Sequence, residues 1–250
     1  MRNIIREKRR LAFGYKRITP ITIRSFSEII ENEIKELQND NNYSYYVMYS
    51  VDATDNTSFE SQSHTIFDEN QIIENRVVRK ITMHFYTLDN SKNIEIQIVH
   101  SQNNENLENF ILVSGDYPNW VNGILTRLSE IISLSEDQPK FNNSGYLIFM
   151  VWILFNIVYF RFTSDLINHS SANSWFPILS ILGAPILSAI LLTKLSNYVK
   201  SVWPTVELQT GPNYLQKPEE NRKKAELIFL TIVIPLVLAF LYDVLKSNFL

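Results

Sequence analysis

The sequence contains no cysteine and only six glycines among its 250 residues. Without cysteine, the chain can form neither disulfide bonds nor thiolate metal sites. Its four histidines are scattered and show no HxH or HExxH spacing, so the sequence does not support a zinc site. The motifs GxxxxGK[ST], GxGxxG and GxSxG are also missing. We therefore predict that the protein is not an enzyme and that it has no catalytic residue, metal or cofactor.

Charged residues become scarce in the C-terminal part of the chain. Residues 1–140 hold 20 of the 26 acidic residues and 15 of the 23 lysines and arginines, whereas the long apolar runs follow Tyr146. Segments that differ this much in polarity are typical of parts in different solvents, and the border between them lies at about 137–144.

Three apolar runs approach the roughly 17–25 residues that cross a bilayer. They cover about 145–161, 175–193 and 226–243. Buried core helices of a soluble protein are the alternative interpretation. Because the three runs lie within one region of low charge, we predict a transmembrane region of three α-helical spans over 145–250.

The predicted loops differ in charge. The loop 194–225 contains six lysines and arginines, whereas the loop 161–174 contains only Arg161. The positive-inside rule places the longer loop, and the N-terminal domain with it, in the cytoplasm. No apolar segment of signal-peptide length follows the basic start of the chain. The predicted location is the bacterial inner membrane.

Basic and acidic residues are separated within the N-terminal part. Residues 1–24 contain eight lysines and arginines against one glutamate, and residues 25–140 contain nineteen acidic residues against seven basic ones. We predict a basic N-terminal arm over 1–24, available for anionic lipid, nucleic acid or a neighbouring subunit. A solvated tail at the membrane surface is the simpler alternative.

Residues 25–140 are predicted to form an α+β sensor domain, an antiparallel sheet with two helices. Apolar residues at helical spacing predict a helix over about 22–38, and the isoleucines of "NIEIQIVH" alternate with polar residues as in a half-buried strand. "TLDNSKN" predicts a hairpin turn, and Asp116 is the predicted N-cap of the second helix. The segment 202–212 also resembles a strand, although an amphipathic interfacial segment is an alternative.

Polar, small and helix-breaking residues interrupt the predicted spans. Small residues allow close helix packing in lipid, and polar residues avoid facing it. The candidates for pore lining or helix packing are Asn156, Ser180, Ala184, Ser188 and Thr231. Gly183, Pro185 and Pro235 are the candidates for gating kinks. Packing within one three-helix bundle is the alternative role, since a pore would require several subunits.

The overall layout resembles that of bacterial anti-phage membrane effectors, in which a cytosolic sensor domain precedes a few spans. The stretches "GDYPNWVNGILTRLSEII" and "VWPTVELQTGP" are the most similar. Within that group, the acidic domain and the need for an oligomer resemble ion-channel effectors of Hailong-type systems, which act with nucleotidyltransferases. The resemblance implies a nucleotide or short oligonucleotide ligand, with Arg9, Arg10, Lys16 and Arg17 as its phosphate contacts.

From these features we predict an oligomeric channel or pore-forming effector of the inner membrane, gated by its cytosolic domain during abortive infection. The predicted partners are further copies of the chain, in a tetramer, together with membrane lipid and inorganic cations. A non-conducting membrane anchor that recruits a protein partner is the first alternative, and a membrane-bound enzyme with an unrecognised site is the second.

Overall fold

A computed structural model describes most of the chain, and contacts divide it into two units. The first unit comprises 1–140 and 203–216, and the second comprises 141–202 and 217–250. The described residues are 6–39, 44–68, 72–100, 109–139, 176–211 and 216–228, with isolated positions at 152–153, 156–157, 159, 230–231, 234–235, 238 and 242.

A six-stranded antiparallel sheet forms the centre of the first unit. The strands lie in the order β1-β7-β6-β5-β3-β4. Their bounds are β1 Glu7–Ala12, β3 Tyr45–Ala53, β4 Ser58–Ser61, β5 Val78–Thr87, β6 Lys92–Val99 and β7 Phe110–Gly115. A separate parallel pair joins β2 (Lys16–Ile18) to β8 (Val206–Leu208).

Helices α1 (Pro20–Asn39) and α3 (Pro118–Leu134) share the hydrophobic core with one face of the sheet. A 3₁₀ turn at His64–Phe67 and the short helix α2 (Ile72–Asn75) complete this unit. Alternation explains why the other face stays polar, because every second residue of a strand points away from the core. In β6 the isoleucines are buried and the residues between them are half-buried.

The sequence prediction of an antiparallel α+β domain is therefore correct for the first unit. The predicted hairpin joins β5 to β6, with Asn90 in the left-handed region at a φ of 59°. Asp116 does not cap α3, because Tyr117 is the N-cap and makes no side-chain capping bond. The stretch 1–24, predicted as a basic arm, contains β1, β2 and the start of α1.

The second unit contains helix α4 (Phe176–Val202) and nearly all of α5 (Gln216–Ile228). Within the described residues, neither these helices nor any other combines the length and apolar character needed to cross a membrane. The predicted transmembrane region is therefore wrong, and so are the inner-membrane location and the ion-channel assignment. Helix α4 has 27 residues in all and continues beyond its apolar part through a polar end. Most of the first and third predicted spans lies outside the described residues.

Candidate anion-binding groove

A β-bulge lies near the start of β5. Asp52 of β3 pairs with Lys80, whereas the next residue, Ala53, pairs with Val78, so Arg79 is the extra residue. A bulge leaves one residue unpaired and changes the direction of its neighbours. Val78 and Ile81 are both buried in the core as a result, while the two consecutive cations between them line a groove on the surface.

The groove has a volume of about 440 Å³. Its walls come from the bulge, the end of β6 and the turn between β3 and β4. Besides the two cations of the bulge, the polar side chains that line it include Asp52, Asn56, Thr57, Ser58 and Gln97. The carboxylate of Asp52 accepts a hydrogen bond from the Ser58 hydroxyl, which partly offsets its charge within the groove. The lining is polar, and its two cations outnumber its one carboxylate.

Arg79 and Lys80 differ from most cations of the first unit in having no ion pair. Seven other described cations are paired with carboxylates: Arg9, Lys16, Arg17, Arg24, Arg76, Lys92 and Arg127. Within the part of the chain that the structure describes, neither cation of the bulge forms such a pair. Two adjacent cations that stay unpaired in an acidic domain produce a local positive potential, which attracts anions.

The turn that walls the groove is held by its own hydrogen bonds. Asn56 adopts a φ of 63°, and the Thr57 amide donates to Asp55 Oδ1 over 3.1 Å. The Arg76 guanidinium donates to Asp55 Oδ2 over 2.5 Å and to Thr57 Oγ1 over 2.9 Å. Hydrogen bonds from Thr57, together with the charge of Arg76, lower the pKa of Asp55. These hydrogen bonds hold the turn in place as one wall of the groove, and none of them involves Arg79 or Lys80.

The sheet face opposite the helices continues from the groove and carries aromatic side chains. Tyr46 and Tyr86 lie on β3 and β5 with ring centroids 5.0 Å apart. His84 pairs in register with Glu95 on the next strand. These four side chains are half-exposed, so this face combines π-surfaces with hydrogen-bonding groups.

His100, directly after β6, links the bulge to β8. Its backbone amide donates to the Arg79 carbonyl over 2.8 Å, and its ring Nδ1 accepts from the Leu208 amide over 3.3 Å. Burial lowers the pKa of His100, although the charge of Glu207 opposes the shift. The ring is therefore neutral at pH 7, as Nδ1 must be to accept a hydrogen bond.

The structure places the first two predicted phosphate contacts on β1, away from the groove. Arg9 pairs with Glu7 over 2.5 Å on this edge strand. The Arg10 guanidinium lies 4.3 Å from the centroid of the Phe110 ring. Because β1 and β5 are separated by β7 and β6, these residues cannot line the same groove as the bulge.

The other two predicted contacts are used in structural ion pairs near β2. Lys16 pairs with Asp137 over 2.8 Å. Arg17 lies between Glu136 and Glu207, and the Glu207 side chain is only 2% exposed. Removing Arg17 would leave the buried Glu207 carboxylate without its cation, so this contact favours a role in holding β8 to β2.

The polar residues predicted to line a pore have partners in the second unit or on their own helix. The Trp152 indole donates to the Ser188 hydroxyl over 3.2 Å, and the Asn156 amide donates to the Trp152 carbonyl over 2.8 Å. The Thr231 hydroxyl donates to the Leu227 carbonyl over 2.6 Å. These contacts are typical of local packing, the alternative that the sequence had left open.

The remaining pore and kink candidates are described only in part. Ser180, Gly183, Ala184 and Pro185 lie within α4, but their side chains are outside the described residues. Pro235 is exposed. With the transmembrane region excluded, the pore and gating roles assigned to all these residues are withdrawn.

Sequence reasoning missed the residues of the groove, although a signal was present. In "VVRKITM" two adjacent cations interrupt the alternation of a buried strand. A regular strand would bury one of them, so the pair itself indicates a bulge. No comparable pattern in the sequence predicts that the β3–β4 turn lies beside the bulge.

No family model, curated protein or solved structure matches the chain. The chemistry of the groove is thus the basis for assigning a function. Its features are two unpaired cations, a polar lining and an adjoining face with aromatic rings.

Proposed function

We propose that the first unit binds a phosphate-bearing ligand in the groove, either a nucleotide or a short oligonucleotide. The observation that carries this proposal is the unpaired pair Arg79 and Lys80, which the bulge turns toward one cavity. An arginine presents a fork of donors that matches phosphate oxygens, and a lysine adds a compact positive charge. Together they suit a ligand with more than one anionic oxygen.

The size of the groove also supports a small ligand. Its volume of about 440 Å³ lies within the range of about 300–1,000 Å³ that is usual for small-molecule sites. A single phosphate would fill little of this space, which favours a diphosphate, a triphosphate or a nucleotide. The polar lining offers hydrogen bonds to the rest of the ligand.

The aromatic face favours a short oligonucleotide over an inorganic phosphate. Bases stack on exposed aromatic side chains of sheets. Along β5, Lys80 and Tyr86 are six residues apart, or about 20 Å at 3.3 Å per residue. A mononucleotide in the groove would lie short of the tyrosine pair, whereas a short oligonucleotide along the strand could reach it.

The direct test is calorimetric titration of the full-length chain with ATP and with inorganic pyrophosphate. We expect the double substitution Arg79→Ala, Lys80→Ala to weaken both affinities at least tenfold, because each cation would contribute a charge-assisted hydrogen bond. The charge-matched control is Lys8→Ala, Lys35→Ala, since both lysines are exposed and neither lines the groove.

Three results distinguish the components of the proposal. Tighter binding of ATP than of pyrophosphate would support a contact with the nucleoside. A similar loss of affinity in both double variants would mean that net charge, not the groove, attracts the anion. No binding by the wild-type chain at low ionic strength would overturn the proposal.

Deletion of Arg79 provides a second test that leaves Lys80 in place. Removing the extra residue would allow Ala53–Val78 and Asp52–Lys80 to pair without a bulge. We expect the fold to persist, with the thermal unfolding midpoint changed by only a few degrees, while pyrophosphate affinity falls at least fivefold. Circular dichroism melts and the same titrations measure both quantities. Unaltered affinity in a folded deletion variant would show that the bulge is not needed for binding.

A further inference from the structure

A buried segment of the chain, 205–211, docks on the residues that precede the groove cations. The Val78 amide donates to Thr210 Oγ1 over 2.7 Å, and the Gly211 amide donates to the Ile73 carbonyl over 3.0 Å. Thr210 is 1% exposed. Gly211 has a φ of +94°, which residues with a side chain rarely adopt, and a Cβ there would lie 3.2 Å from Val77 Cγ2 and 3.3 Å from the Val77 nitrogen. Val78 immediately precedes the two cations, so the docking site and the groove share one short stretch of backbone.

His100 makes a second connection between the bulge and this segment. As described above, its amide binds the Arg79 carbonyl and its ring binds the Leu208 amide. His100 therefore links Arg79 to β8 through two hydrogen bonds. The two connections are made by the Val78 amide and the Arg79 carbonyl. These backbone groups flank the Arg79 side chain, with which a ligand would pair.

The docked segment is also the chain's route between α4 and α5. Residues 203–216 belong to the first unit, whereas α4 before them and nearly all of α5 after them belong to the second. Buried Glu207, held by Arg17 and Gln138, fixes β8 beside β2. The segment is therefore a fixed part of the first unit that lies, in sequence, between two helices of the second.

We propose that anion binding in the groove and docking of 205–211 stabilise each other, so that the segment responds to occupancy of the groove. This inference rests on the proposed function. A ligand paired with Arg79 and Lys80 orders the bulge, and an ordered bulge holds the Val78 amide and the Arg79 carbonyl in place for the segment. Coupling between two sites is reciprocal. If the ligand strengthens docking of the segment by a given factor, undocking the segment must weaken ligand binding by the same factor.

Hydrogen exchange measured by mass spectrometry on the full-length chain tests one direction of this coupling. With saturating inorganic pyrophosphate, we expect exchange of peptides covering 203–211 to slow about fivefold. Peptides from β7, whose pairing partners are β1 and β6, serve as the internal reference. Their exchange should stay unchanged.

Substitution of Thr210 tests the other direction. Thr210→Val removes the acceptor for the Val78 amide while keeping the shape of the side chain, and we expect pyrophosphate to bind about fivefold more weakly. Thr210→Ser keeps the hydroxyl and should restore most of the affinity. The matched control is Thr126→Val on the exposed part of α3, which should bind as the wild type does.

The outcomes separate this inference from the proposed function. If pyrophosphate binds through Arg79 and Lys80 but leaves exchange of 203–211 unchanged, the coupling is overturned and the binding function stands. If pyrophosphate does not bind, the proposed function fails and the coupling fails with it. Should Thr210→Val not fold, the exchange measurement on the wild type and the Thr210→Ser variant still decide between these outcomes.

Discussion

Replacing Glu33 with alanine is expected to lower the free energy of unfolding by about 3 kcal/mol. The Glu33 carboxylate, only 3% exposed, accepts a hydrogen bond from the Trp120 indole over 2.6 Å and pairs with Lys92 over 3.3 Å. The Lys92 ammonium also lies 5.2 Å from the centroid of the Trp120 ring. Removing the carboxylate leaves an indole donor and a largely buried cation without their acceptor, and both would lose hydration without compensation. Urea unfolding followed by circular dichroism measures the loss.

Two further substitutions on α1 test the reason for this loss. Glu33→Gln keeps an acceptor for the indole but removes the charge that faces Lys92, so its effect should be intermediate. Glu28→Ala removes an exposed carboxylate from the same helix and should change stability by no more than about 0.5 kcal/mol. Equal losses for Glu28→Ala and Glu33→Ala would attribute the effect to the helix rather than to the buried contacts.

The same substitution at two glycines is expected to have opposite effects. At Gly115, the end of β7, a Cβ would lie 2.6 Å from the Ser91 carbonyl oxygen and 3.2 Å from the Trp120 ring. Gly115→Ala should therefore cost about 2 kcal/mol, since the closest obstacle is backbone and must move. At Gly123 within α3, no atom lies within 4 Å of the added Cβ. Gly123→Ala should stabilise the protein by about 0.5–1 kcal/mol, because alanine favours the helix.

Both glycine variants can be measured in the same urea titration. The expected difference between them, about 3 kcal/mol, is large compared with the uncertainty of such an experiment. A stable Gly115→Ala variant would show that the turn between β5 and β6 can shift away from β7. Destabilisation by Gly123→Ala would indicate that a neighbour covers this position in solution.

Much of the first unit was predictable because its elements have strong local patterns. The alternation of Ile94, Ile96 and Ile98 with polar residues predicted β6, and the helical spacing from Phe26 to Leu37 predicted α1. Both were confirmed because burial on one side of a sheet or helix imposes its period on the sequence. The strand character of β8 was also predicted, although its parallel partner β2 could not be, since pairing between distant segments has no local signal.

The membrane prediction is wrong because apolar composition by itself is not sufficient evidence for a span. Small and polar residues at helical intervals, such as Ser188 and Asn156, fit a pore lining in the sequence, but in the structure they make hydrogen bonds with Trp152. Spacing identifies which residues share a helix face. It does not identify what lies opposite that face.

The density of cations along the chain does not show what surrounds each of them. Arg9, Arg10, Lys16 and Arg17 lie close together in the sequence, and their neighbours in space are carboxylates and an aromatic ring. Arg79 and Lys80 lie in a segment with fewer cations. The availability of a cation depends on whether a carboxylate reaches it, and for Lys16 and Arg17 these carboxylates come from distant parts of the chain.

By itself, the sequence determined the separation of charge, the class of the first unit and the position of most of its strands and helices, because these follow from composition and local period. Tertiary structure alone decided which cations are paired and where Arg79 and Lys80 point. It also decided that residues 205–211 contact the bulge from the far end of the chain. The physical reason is that charge pairing, bulge geometry and docking depend on which segments meet, and only the folded backbone brings Val78 and Thr210 together.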